Sequence, residues 1–110
     1  MKTDRFSLQQ LRETLTLVLA PKPVHQVILF GSRARGEDDA YSDTDLVLVA
    51  DTDRPFVERF KDFWELFEKI PPPIQLLVYT PQEFRRLQDE ENPFLQDVLT
   101  HGLIVYEKRT

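Results

Sequence analysis

The stretch ILFGSRARGEDDAYSDTDLVLVA, residues 28–50, limits the possible folds more than any other part of the chain. Two apolar runs are joined by a short, charged segment punctuated by glycine. The first run completes VHQVILF (24–30), rich in β-branched residues, and predicts a strand that ends at Gly31. The second, DLVLVA (45–50), is apolar on both faces and so predicts a central strand of a sheet. The short link leaves parallel and antiparallel pairing both open. Asp43 and Asp45 stand where the second strand begins, which is an unusual place for two like charges.

The rest of the chain supplies the layers for such a sheet. Ser7 predicts a helix cap, followed by Leu8, Leu11, Leu15 and Val18 at spacings of three and four, until Pro21 and Pro23 stop the helix. Residues 55–69 predict a second helix with Phe56, Phe60, Phe63, Trp64 and Phe67 on one side, an aromatic stripe assigned to the core. After the stiff PPP (71–73), IQLLVY (74–79) is a third strand. Thr80, Pro81 and Glu83 form a capping-box signature, and Asn92-Pro93 repeats the cap-and-proline device before a last helix carrying Phe94, Leu95, Val98 and Leu99. Gly102 ends that helix, and LIVY (103–106) reads as a fourth, edge-type strand. The expected fold class is α/β (α+β): a mixed sheet of about four strands with helices packed against it, in one domain over residues 1–110.

Composition narrows the function. The chain has 14 basic and 19 acidic residues, a formal charge of −5, and so lacks the basic balance of a nucleic-acid scaffold. Direct nucleic-acid binding is not expected. With no cysteine, disulfides, thiolate zinc sites and cysteine nucleophiles are excluded, and His25 and His101 are too few for a histidine metal cage. MKTDRFSLQQ does not read as a signal peptide, and no run approaches the ~20 apolar residues of a membrane span. The expected location is the cytoplasm, away from membranes.

The chemistry concentrates in the opening stretch. Gly31 permits a sharp turn off the strand, and successive N–H groups in such a turn make an anion nest to which the Ser32 hydroxyl adds a donor. Arg33 and Arg35 bring positive charge. The Lys-Ser/Thr ending of a Walker loop is absent. Residues two apart in a strand share a face, so Asp43 and Asp45 project together, with Cα atoms roughly 6.5–7 Å apart. Carboxylates held that close raise each other's pKa unless a cation lies between them. An oxygen-only pair favours a hard cation, Mg²⁺ before Mn²⁺, completed by water and phosphate oxygens. An anion nest beside a cation site suits a nucleoside triphosphate.

Gly31-Ser32, ten intervening residues, then Asp43-Thr44-Asp45 resembles the signature of the polymerase-beta-like nucleotidyltransferase superfamily. The fuller GSRARG…SDTDLVLV is similar to its minimal nucleotidyltransferases of MntA type, with the resemblance running from about residue 8 to 106. The resemblance implies transfer of a nucleoside monophosphate, AMP from ATP, to an acceptor hydroxyl, with release of pyrophosphate. It implies that Gly31 and Ser32 hold the triphosphate and that Asp43 and Asp45 bind the metal and are catalytic. Arg33 is itself a candidate nucleotide contact, the alternative being that Arg33 and Arg35 pair with the acidic loop. A HEPN-domain protein is the implied partner, in a toxin–antitoxin pair of which this chain is the antitoxin.

One position departs from the pattern. The third carboxylate of that family falls at Gln75, whose amide has no charge and cannot act as a base. Asp51 shares the parity of the acid pair but lies roughly 20 Å from Asp45 along the strand. Glu37, Asp38 and Asp39 sit in the loop. The alternative to an enzyme is therefore a nucleotidyltransferase-like binding module that neutralises its partner without chemistry. Tyr41 and Tyr79 are candidates to border the nucleotide. The aliphatics of the last helix and LIVY predict an interface with a partner or a second copy.

Overall fold

The computed structural model describes residues 6–36 and 43–108. Helix α1 spans Leu8–Leu19. Its cap is reciprocal: the Ser7 hydroxyl accepts from the Gln10 amide at 3.0 Å, and the Ser7 amide donates to Gln10 Oε1 at 2.7 Å. Strands β1 (Val24–Phe30) and β2 (Thr44–Ala50) follow. A 3₁₀ helix (Phe56–Phe63) runs into α2 (Trp64–Lys69), and β3 (Ile74–Tyr79), α3 (Pro81–Asp89), α4 (Pro93–His101) and β4 (Leu103–Glu107) complete the order. Thr80 and Asn92 cap α3 and α4 through their side chains. Among the described residues no helix is long and apolar enough to cross a membrane.

The sheet order is β3-β2-β1-β4. β1 pairs antiparallel with β2 and β4, while β2 and β3 run parallel, so the sheet is mixed and β2 is interior. Alternation along β2 divides the two faces. Leu46 and Leu48 pack with Leu11, Leu15 and Leu66 under α1 and α2. Val47 packs on the other face with Ile28, Leu95 and Val98, against α4.

The aromatic stripe sits differently from the sequence expectation. The residues buried along 56–70 are Arg59, Phe63, Leu66 and Ile70, at spacings of four, three and four. Phe63 is 3% exposed, but Trp64 is 57% exposed and stacks obliquely on Phe67 at 5.7 Å, outside the core to which it was assigned. The inward pull of Arg59 sets this rotation. Its guanidinium donates to Val78 O at 2.9 Å and, through two nitrogens, to Glu83 at 2.6 and 3.0 Å.

Glu83 also accepts from the Thr80 amide at 2.9 Å, and the Arg59 hydrogen bonds, foremost, hold its carboxyl down at about 2. Stability from this pair is therefore complete above 4.5 and drains away as pH falls from there toward 2. Glu83→Gln is expected to cost about 2 kcal/mol at pH 7, because it leaves a buried guanidinium short of its partner. Urea unfolding checks this. The loss should shrink on acidification toward pH 2, and an unchanged midpoint at pH 7 would contradict it.

Candidate functional site

β1 ends where β2 begins, and the antiparallel register pairs Phe30 with Asp45. Gly31 follows with φ +81°, a left-handed value that glycine adopts without strain. The chain then coils tightly. The amides of Ala34 and Arg35 donate to Gly31 O at 3.1 and 3.3 Å, and Gly36 donates to Arg33 O at 3.3 Å. Among the described residues none accepts from the Ser32 amide or hydroxyl, which stand at the leading edge of this coil.

Asp45 lies directly against the turn. A Cβ added at Gly31 would overlap Asp45 Oδ2, so the absence of a side chain at residue 31 is what makes room for the carboxylate. Asp45 Oδ1 is buried and accepts no hydrogen bond from any described residue. Burial, and secondarily the Asp43 charge, push the Asp45 carboxyl above its usual range. Asp43, just ahead of β2, is exposed. The structure thus brings Gly31, Asp43 and Asp45 together. A buried carboxylate oxygen without a donor, beside a second carboxylate, fits a hard divalent cation that would also accept water and phosphate oxygens.

Gln75 pairs with Asp45 across the parallel β2–β3 register and is exposed. Paired residues share a face, so an amide lies beside Asp45 on the neighbouring strand. Among the described residues no group of three or more acids, histidines or cysteines is arranged to hold a metal. Asp51, one residue past the far end of β2, meets His25 Nε2 through its carboxylate at 3.1 Å. Glu37, Asp38, Asp39 and Tyr41 lie outside the described residues.

The arginines of the turn point to protein groups. Arg33 Nη1 donates to Thr44 Oγ1 at 2.9 Å and Nη2 to Phe6 O at 2.5 Å. Arg35 Nη2 meets the Asp97 carboxylate on α4 at 3.1 Å, and His101 contacts the same carboxylate at 3.0 Å. Sequence reasoning offered no signal for the Arg33–Thr44 bond, which depends on how the turn coils.

Tyr79 lines a pocket of about 420 Å³ with Phe56, Glu83, Leu87 and Phe94. Phe94 meets Phe30 edge-on at 5.3 Å, so this pocket opens on the same face as Asp45. A larger hollow of about 1070 Å³ lies between α1 and the outer edge of β4, and neither the turn nor the acid pair lines it.

Residues 13–110 match the family model of the polymerase beta nucleotidyltransferases. The chain belongs to that family. No curated protein matches it by sequence. Among solved structures it is similar to a candidate nucleotidyltransferase from Sulfolobus solfataricus, at 20% identity and TM-score 0.60, over 92% of this chain and 80% of that one. A toxin–antitoxin complex with AMP-PNP is similar at 17% identity and TM-score 0.62, over 94% of this chain and 75% of the other. A mutant of the MntA–HpeT toxin–antitoxin pair is similar at 16% identity and TM-score 0.60, with the same coverage. At these identities the likeness is one of fold.

Proposed function

We propose that this chain transfers AMP from ATP to a hydroxyl of a partner protein, as the antitoxin of a pair with a HEPN-domain toxin in the cytoplasm. One observation supports the reading: Asp45 packs onto the side-chain-free Gly31, and its buried Oδ1 accepts from none of the described residues, so acid and turn lie in direct contact. On this reading Gly31 and Ser32 seat the triphosphate, and Asp43 and Asp45 hold Mg²⁺, with Mn²⁺ as substitute. When bound, that ion would neutralise charge on the phosphates during displacement at the α-phosphorus. Gly31 lets the chain approach the phosphates closely, and the Ser32 donors orient them. Residues 1–110 act here as one nucleotidyltransferase domain, and the acceptor arrives on another protein. Leu99, Leu103 and Ile104, the last 48% exposed, are the surface for that partner or for a second copy.

Gln75 favours a second reading, in which the domain binds nucleotide and covers its toxin without transfer. An amide beside Asp45 supplies neither the third charge nor a base. α-Labelled ATP, Mg²⁺ and the cognate HEPN protein separate the two. Label on the partner, lost in Gly31→Ala, supports transfer. An unlabelled but inhibited toxin supports the second reading.

A further inference from the structure

We propose that Arg33 is a positioning residue that sets the direction of the Asp43–Asp45 pair through Thr44; the inference rests on the metal-binding reading of that pair. Thr44 separates the two acids and is 3% exposed. It is held at two points. Its amide donates to Pro73 O at 3.0 Å, just ahead of β3, and its hydroxyl accepts from Arg33 Nη1 at 2.9 Å. A second Arg33 nitrogen donates to Phe6 O, ahead of the Ser7 cap of α1.

Alternation in the strand makes this consequential. Thr44 shares its face with Leu46 and Leu48, which pack beneath the sheet under α1 and α2. Asp45, one residue on, must then point to the opposite face, and Asp43, one residue back, shares that direction. A guanidinium that fixes the Thr44 hydroxyl from below thereby fixes both carboxylates above. Arg33 also sits two residues past Gly31, in the coil that would seat phosphate. One side chain so links the turn to the acids. Outer hydrogen bonds of this kind commonly change metal affinity by about 10–100-fold.

A double-mutant cycle read by Mn²⁺ electron paramagnetic resonance, with a non-hydrolysable ATP analogue present, tests the assignment. Thr44→Val should weaken Mn²⁺ about 10-fold and Thr44→Ser should restore it. Arg33→Ala should weaken it by at least as much, and the double variant should lose no more than Arg33→Ala alone. Melting curves identify variants that fail to fold, and Thr44→Ser keeps the comparison meaningful if Thr44→Val does. Additive losses would mean that Arg33 meets the nucleotide independently, and Thr44→Val with wild-type affinity would mean that the hydroxyl positions nothing; either overturns the proposal while leaving the metal site standing. Wild type that binds no Mn²⁺ overturns both.

Discussion

Asp45→Asn is expected to raise the melting temperature of the metal-free protein while abolishing the further rise that Mg²⁺ and nucleotide give the wild type. The carboxylate is desolvated, has no donor at Oδ1 from the described residues, and faces Asp43. Its folded pKa stands above 3.8, so the folded protein keeps a proton that the unfolded chain has released. Stability from this group therefore falls as pH rises from 3.8 through the raised value, and at pH 7 the ionised acid is a liability. Asparagine removes the charge at nearly the same size. The cost reverses when a cation binds: a ligand at one hundred times its dissociation constant adds about 2.7 kcal/mol to the folded state. Transfer in the variant should fall roughly a thousandfold, a loss of ~4 kcal/mol in transition-state stabilisation. Thermal shift at pH 7, with and without Mg²⁺ and an ATP analogue, reads the stability half directly. A variant that melts lower than wild type and still responds to Mg²⁺ would show that Asp45 is an ordinary structural acid.

The turn and the acid pair proposed as the site follow local rules of the chain, whereas much of what packs around them does not. Asp43 and Asp45 could be placed on one face from strand periodicity alone, and Gly31 from the turn that the chain needs there. Both are local rules. The contact between Gly31 and Asp45 is a matter of register, because Phe30↔Asp45 pairing depends on antiparallel closure that the short link left undecided. The caps at Ser7, Thr80 and Asn92 were readable for the same local reason, each being closed within three residues. The rotation of the aromatic helix was not. Arg59 reaches Glu83, 24 residues away, and this distant attraction turns Trp64 outward although apolar spacing alone would bury it. The bonds from Arg33 to Thr44 and to Phe6 O were out of reach for the same reason, since they join positions 11 and 27 residues apart.

Gln75→Asp is expected to raise nucleotidyl transfer about 100-fold and to take Mn²⁺ stoichiometry from one ion to two in the presence of an ATP analogue. The register places residue 75 beside Asp45 on the neighbouring parallel strand, within the roughly 4.8 Å that separates adjacent strands. Being exposed, it can accept a carboxylate without a new buried charge. Asp43 and Asp45 together provide two negative charges, enough for one nucleotide-bound cation. A third charge on the same face gives a second cation a protein ligand, and gives the attacking hydroxyl a group able to take its proton, which an amide cannot do. The stability effect should run opposite to that of Asp45→Asn: three carboxylates repel, so the metal-free variant melts lower than wild type, and Mg²⁺ more than recovers the difference. Scintillation counting of α-labelled AMP on the partner measures the gain, and calorimetric or resonance titration counts the ions. If wild type and variant transfer at the same rate with one ion each, residue 75 is not the missing position and the proton acceptor belongs to another group. If only the variant transfers, the natural glutamine marks a domain in which nucleotide binding has outlived the chemistry.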